Sequence, residues 1–225
     1  MDLLACVLEL LAPTRCAGCD LPGAILCDAC RDVLPRIERA GACPRCGAPY
    51  GHLVCTECWQ SEPAFSATVC VGSLVPPLAR CVTLYKDSGE RRLGPVLGAL
   101  LAGTAAEWAG WPDAVVPVPA SAASLRRRGF DHTRLVAEEV ARAFGVPVLD
   151  ALAVRGARDQ RRLSRAERAR NVADVFALVS GVRAPAHVLL VDDVVTTGAT
   201  VDSAAGTLLA AGADEVRVGA VARAW

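Results

Sequence analysis

The sequence predicts an α/β protein in which a parallel sheet carries helices on both faces and a small cysteine-rich module precedes it. Three observations carry that prediction. From about residue 64 onward, short apolar runs rich in β-branched residues alternate with helix-length amphipathic stretches, as strands and crossover helices do. One run, VLLV at residues 188–191, is unbroken and apolar with polar flanks, which is how a strand covered on both faces reads. Eight of the eleven cysteines fall into four CxxC pairs, a metal-knuckle spacing.

The chain starts MDLLACVLELLAP, which reads as an amphipathic helix. Asp2, Glu9, the missing basic n-region and the break at Pro13 argue against both a signal peptide and a membrane span. A cytoplasmic protein is therefore expected. Its 24 Lys and Arg balance 24 Asp and Glu, so no global charge draws the chain to nucleic acid or to an anionic membrane. Any such attraction must be local.

The knuckles follow. Cys16, Cys19, Cys27 and Cys30 form one module, and Cys43, Cys46, Cys55 and Cys58 form another. Two CxxC knuckles complete a closed tetrahedral zinc site, so one zinc per module is expected. Crossed pairing of knuckles, or a single occupied site, remains open. Disulfides would require an oxidising compartment, and the regular knuckles resemble zinc ribbons more than an iron–sulfur cluster. His52 reads as a surface loop residue, whereas Cys6, Cys70 and Cys81 lie among apolar neighbours and read as core.

The stretch QSEPA at residues 60–64 marks a boundary, giving domains 1–63 and 64–225. No long linker separates them, so the module should pack on the larger domain. There we expect a strand at 68–73, helices at 77–86 and 91–109, and a strand at 114–117. A helix at 133–144, with Glu138 and Glu139 facing solvent, and a strand at 147–151 come next. The 188–191 strand, a helix at 201–211 and a closing strand at 216–221 complete the set. The two cysteine modules are the only internal repeat.

The chemistry begins after VLLV. Asp192 and Asp193 stand where that strand ends, the edge at which open α/β sheets bind ligands. The turn through Thr196, Thr197, Gly198 and Thr200 leads into a helix whose free N–H groups and dipole favour phosphate. Adjacent carboxylates suit a vicinal diol, with or without magnesium. Diol plus phosphate points to a ribose 5-phosphate. The plain alternative is an acidic loop with threonines capping a helix; a Walker loop is excluded because no Lys follows the glycine. Arg126, Arg127 and Arg128, with Gly129, are expected in a loop beyond the 114–117 strand. Guanidinium groups there suit pyrophosphate, the alternatives being a solvated basic loop or a nucleic-acid patch.

The segment VLLVDDVVTTGAT resembles the phosphoribosyl pyrophosphate (PRPP) signature of type I phosphoribosyltransferases. Taken in order, the cysteine knuckles, YKDSGE near Tyr85, RRRGFDHT, the arginine-rich run from residue 155 with Gln160, Leu163, Arg170 and Asn171, and this loop resemble the ComF (GntX-like) family over almost the whole chain. Members of that family are competence-associated, phosphoribosyltransferase-like proteins. The resemblance implies a type I phosphoribosyltransferase-like sheet with a double zinc ribbon. It implies Asp192 and Asp193 as catalytic carboxylates on the ribose hydroxyls, with Val194, Val195, Thr196, Thr197, Gly198, Ala199 and Thr200 around the 5-phosphate. Arg126, Arg127, Arg128, Gly129 and magnesium would face the leaving pyrophosphate, and Lys86 a phosphate or the substrate.

The implied function is phosphoribosyl transfer to an unidentified acceptor. The alternative is a non-catalytic PRPP sensor, or a protein that handles single-stranded DNA beside the DNA-uptake machinery; a homo-oligomer stays open. Arg161, Arg165 and Arg168 would sit close together on a helix and need an anion, whether PRPP, a phosphorylated acceptor or nucleic acid. Few aromatics interleave with them, which weakens a stacking platform. A zinc-only interaction module would leave the larger domain unexplained. Where the family pattern usually ends RGFNQ, this chain has Asp131 and His132, so His132 becomes either a titratable group near the leaving pyrophosphate or a positioning residue.

Overall fold

The computed structural model describes residues 13–155 and 175–225. The expected N-terminal helix and most of the arginine-rich run, including Gln160, Leu163, Arg170 and Asn171, lie outside the described residues. In chain order the elements are α1 (Asp28–Asp32), α2 (Thr56–Ser61), β1 (Ala67–Ser73), α3 (Leu78–Asp87), α4 (Leu93–Thr104), β2 (Ala114–Pro117), α5 (Ala122–Arg128), α6 (His132–Phe144), β3 (Leu152–Val154), β4 (Phe176–Leu178), β5 (His187–Val195), α7 (Ala199–Ala210) and β6 (Glu215–Arg223). Four strands form a parallel sheet in the order β1-β6-β5-β2, and β3 pairs with β4 as a separate antiparallel ribbon.

The sheet is buried on both faces, and the pleat sorts its side chains accordingly. Leu189 and Val191 pack with α3, α4 and α6. Val188 and Leu190 pack with α7 and the β3–β4 ribbon. This two-sided burial is why the run at 188–191 shows no polar alternation.

Several boundaries differ from the sequence reading, each for a physical reason. The strand that was expected to stop at residue 191 continues to Val195, because β6 keeps pairing with it out to Arg223. The expected strand at 147–151 shrinks to one parallel bridge between Val148 and Val115. Pro147 has no N–H with which to extend the ladder. The helix expected through residue 109 ends at Thr104, after Gly103, and a 3-10 turn at Ala106–Trp108 follows. Glu139 is not solvent-facing as expected. It is only 16 % exposed, lies over Gly98 of α4, and accepts a hydrogen bond from Arg142 at 3.0 Å.

The cysteine-rich segment shares the main core. Cys16, Ala17, Leu26, Cys30 and Leu34 are buried in the same cluster as Leu78 and Cys81. Residues 35–37 run antiparallel along the outer edge of β1, with Ser73 donating to the Pro35 carbonyl at 2.8 Å and Ile37 to the Val71 carbonyl at 3.2 Å. Among the described residues, no helix is long and apolar enough to cross a membrane.

Gly98 lets α4 approach α6 closely, since a Cβ there would lie 2.5 Å from the Glu139 Cβ and 2.8 Å from the Val136 carbonyl oxygen. Gly98→Ala should therefore destabilise the protein by about 1–3 kcal/mol through overpacking. Gly103 is also in α4 but has nothing within 4 Å of its Cβ position. Gly103→Ala should be neutral or stabilising, by up to about 1 kcal/mol of helix propensity. Chemical denaturation of both variants checks the contrast, and equal effects would contradict the proposed contact.

Candidate functional site

The pleat that sorts the core also separates the acidic pair. Asp193 follows Leu189 and Val191 onto the α3–α6 face, while Asp192 follows Val188 and Leu190 onto the other. Both are buried, at 5 % and 8 % exposure. The Asp193 N–H donates to Asp192 Oδ1 at 2.8 Å.

Two nitrogens close on Asp193 Oδ2 as ion-pair contacts, although neither is aligned on that buried oxygen as a hydrogen bond. Lys86 Nζ, from the last turn of α3, lies 2.7 Å from its Oδ2, and His132 Nε2, from the first turn of α6, lies 2.6 Å from the same oxygen. His132 is itself fixed. Tyr85 donates its hydroxyl to the His132 carbonyl at 2.6 Å, and Arg128 Nη1 lies 3.1 Å from His132 Nδ1. The same Nη1 lies 3.3 Å from His132 Nε2, so the guanidinium faces both ring nitrogens.

The two carboxyl groups are pushed apart in acidity. Burial, and then the neighbouring Asp193 charge, raise Asp192 from 3.8 to about 8. Burial also opposes ionisation of Asp193, yet the contacts with His132 and Lys86 outweigh it and hold that group at about 2. The strand end therefore carries one firmly ionised carboxylate beside one that retains a proton.

Beyond Val195 the chain bends through Thr196, Thr197 and Gly198 into α7. Gly198 takes a left-handed conformation, φ 84°, as the N-cap. Thr196, Thr197, Ala199 and Thr200 are exposed and Val194 is half-buried, while Val195 is buried beneath the loop; within it the Ala199 N–H donates to Thr197 Oγ1 at 3.4 Å.

Arg126, Arg127 and Arg128 are not in a loop, contrary to the sequence reading. They form the last turn of α5. Ser121 caps that helix by accepting from the Ser124 N–H at 3.2 Å, and Gly129, at φ 72°, ends it. Arg128 reaches His132, but Arg126 and Arg127 stay exposed and join no hydrogen bond or ion pair among the described residues. Arg91 donates to the Gly129 carbonyl at 2.8 Å and lies over the Phe130 ring. Asp131 caps α6 by accepting from the Arg134 N–H at 3.1 Å, and Thr133 donates to the same carboxylate at 2.7 Å.

The thiols group within modules. In each set of four, Cys16, Cys19, Cys27 and Cys30 or Cys43, Cys46, Cys55 and Cys58, the Sγ atoms lie within 4.8 Å of one another. The close Sγ–Sγ separations are 3.6 Å for Cys16–Cys27, 3.8 Å for Cys19–Cys27 and 3.7 Å for Cys46–Cys55. A tetrahedron with Zn–S bonds of about 2.3 Å has edges of about 3.8 Å, so both donor sets fit a structural zinc ion. Burial disfavours thiolate at Cys16 and Cys43, but backbone N–H donors outweigh it and bring the groups down to about 6 and about 7. For Cys16 these include the N–H groups of Gly18 and Cys27, each 3.3 Å from Sγ. Cys70 and Cys81 are buried core residues, as expected, and burial raises them to about 12 and about 11. His52 is exposed.

The phosphoribosyl transferase domain family model matches residues 132–224, which run from His132 through the acidic pair and loop to the end of β6. DNA utilization protein YhgH of Salmonella typhi is 32% identical over 227 residues, covering 95% of this chain and 99% of that protein. The chain belongs to the YhgH/ComF family. Competence protein F of Haemophilus influenzae is 29% identical over 210 residues, covering 88% of this chain and 90% of that protein. A solved structure of the glutamine PRPP amidotransferase from B. subtilis aligns over 56% of this chain and 25% of that one, at 30% identity and a TM-score of 0.41. As a YhgH/ComF protein the chain has a phosphoribosyltransferase-like parallel sheet and two four-cysteine clusters consistent with zinc ribbons.

Sequence reasoning missed Arg223, because the closing strand was expected to end at residue 221. It is 3 % exposed, and an arginine at the end of the otherwise apolar stretch VGAVAR was the available signal.

The acidic pair makes stability depend on pH with a definite sign. Asp192 is raised from 3.8 to about 8, so its contribution is complete below about pH 4 and is lost as pH rises through 8. Asp193 is lowered to about 2, so its contribution is present above about pH 4 and is lost as pH falls toward 2. Asp192→Asn should therefore melt close to the wild type at pH 4 and above it at pH 8.5. Thermal melts across that range check this, and a difference independent of pH would contradict it.

Proposed function

We propose that the chain binds PRPP with magnesium and transfers its phosphoribosyl group to an acceptor, releasing pyrophosphate. The observation that carries this reading is the buried carboxylate pair at the end of β5, followed at once by a threonine loop at the N-terminus of α7. Asp192 and Asp193 take the catalytic place on the ribose hydroxyls, one as a proton donor and one as an acceptor. Val194, Val195, Thr196, Thr197, Gly198, Ala199 and Thr200 form the 5-phosphate cradle, with the N-terminus of α7 facing the phosphate.

Lys86 and Arg128 bring positive charge to the inner end of the site, and Arg126, Arg127 and Gly129 extend it along α5. As the nucleophile bonds to the anomeric carbon, the bond to the pyrophosphate oxygen breaks and its electron pair leaves with the pyrophosphate. These cations stabilise the departing charge. His132, fixed between Arg128 and Asp193, keeps that carboxylate oriented. Asp193 Oδ2 already meets Lys86 and His132, so the pair suits magnesium carried in on the diphosphate more than an ion held by an open ring of protein oxygens. Magnesium, when bound, neutralises the leaving group.

We further propose that each cysteine cluster holds one zinc ion in the cytoplasm, where thiols stay reduced, and that residues 1–63 and 64–225 are the two domains. The names of the relatives, DNA utilization and competence proteins, favour a second reading. In it the same PRPP site serves a non-catalytic sensor in a protein that handles single-stranded DNA, or acts beside the DNA-uptake machinery.

Calorimetry with PRPP and magnesium should show binding by the wild type and at least about tenfold weaker binding by Asp192→Asn with Asp193→Asn. No binding by the intact protein would sink both readings, whereas binding without pyrophosphate release across amines and nucleobases would favour the sensor. Elemental analysis of freshly purified protein should find about two zinc ions per chain. Fewer than about one would contradict closed four-cysteine sites.

A further inference from the structure

An arginine from beyond the cysteine-rich segment reaches each cluster, and the two lead to different places; within the second cluster Arg45 also donates to the Cys58 carbonyl at 3.2 Å. Arg80 of α3 donates through Nη1 to the carbonyls of Cys16, Ala17 and Gly18, at 3.3, 3.1 and 3.1 Å, and ties the first cluster to the α3 side of the core. Arg223, the last residue of β6, donates through Nε to the carbonyl of Cys46 at 3.1 Å, inside the second cluster. Its Nη1 donates to the Val195 carbonyl at 3.2 Å and to the carbonyls of Thr196 and Ala224. Among the described residues no carboxylate pairs with this buried cation. Carbonyl oxygens alone satisfy it.

That arrangement is demanding. A buried guanidinium is costly unless its hydrogens find acceptors, and its planar fork holds those acceptors in one fixed relation. One side of the fork grips a residue whose thiol belongs to the four-cysteine set. The other grips the end of β5 and the first residue of the threonine loop. Between them lies a cavity of about 220 Å³ whose walls include Cys46, Cys58, Thr197, Gly198 and Arg223. The second cluster thus backs the loop directly, while the first has no such contact through Arg80.

We propose that Arg223 is a positioning residue that locks the phosphate loop to the second cysteine cluster, so that metal in that cluster and PRPP on the loop stabilise each other. This rests on the reading of the loop as a PRPP site. Such linkage is reciprocal: if zinc tightens PRPP binding by some factor, PRPP tightens zinc by the same factor. The second cluster is then part of the ligand site's framework, and its loss, by chelation or oxidation, lowers PRPP affinity.

Three measurements on the full-length protein test this. Calorimetry with PRPP and magnesium should show Arg223→Met and Cys58→Ser weakened about tenfold or more, Arg223→Lys in between, and Arg80→Met within about twofold of the wild type. Zinc transfer to a chromophoric chelator should slow for one of the two ions when PRPP is added to the wild type, and should not slow in Arg223→Met. Hydrogen exchange at residues 196–200 should quicken when the second cluster loses its metal, with or without PRPP. Equal weakening by Arg80→Met and Arg223→Met would overturn the proposal, as would zinc release indifferent to PRPP in a wild type that binds it. Should the wild type fail to bind PRPP, the ligand reading falls, and the exchange measurement alone decides whether loop and cluster are linked. Should Arg223→Met fail to fold, Cys58→Ser carries the same comparison.

Discussion

Two adjacent carboxylates cannot sit inside a sheet unless something accounts for their charge, and much of this structure can be understood from how that is done. β5 runs on past its apolar stretch because β6 pairs with it to Arg223. The extension carries Asp192 and Asp193 into buried positions on opposite faces of the sheet. Asp193 then needs partners, which are the Lys86 ammonium at the end of α3 and the His132 ring at the start of α6. The placement of those helices, the tilt of the His132 ring and the burial of Tyr85 beneath it all serve one oxygen. Asp192 receives no cation of its own and keeps its proton instead.

The cysteine modules meet a different constraint. Segments this short cannot enclose a core, so they borrow one: the first contributes Cys16, Leu26 and Leu34 to the cluster around α3. The second has a small buried set of its own, Cys43, Cys46, Ala48 and Cys58. Arg223 Nε meets it at the Cys46 carbonyl. A main-chain anchor of that kind places no demand on the side chains around it, so the knuckle can vary in sequence while its position against the sheet is kept.

The parts of the molecule legible in the sequence are those in which local pattern and tertiary demand agree. The apolar run at 188–191 and the amphipathic stretch of α6 appear where expected, and the CxxC knuckles, whose pairing the spacing left open, group within modules. Boundaries were less legible where a partner decides them. β5 lengthens because of β6, and the strand at 147–151 fails because Pro147 cannot donate. The arginine triplet was misplaced because three like charges suggest a loop, whereas Ser121 and Gly129 were there to cap a helix. In the candidate site, Asp193 and Lys86 were both named from sequence, but nothing local states that they touch. Arg223 escaped because its function lies in what its fork reaches, 177 residues back at Cys46.

The cap on α6 bears on positions 131 and 132, where the resemblance to the ComF family implies Asn and Gln and this chain has Asp and His. Asp and Asn serve almost equally as N-caps, so at position 131 the exchange leaves the helix start intact and is close to silent. At position 132 it is not. An amide offers one fixed donor and one fixed acceptor, whereas an imidazole presents two ring nitrogens whose roles depend on the tautomer. One replacement conserves the cap and its neighbour changes the group that meets Asp193, so these two adjacent positions answer to different constraints.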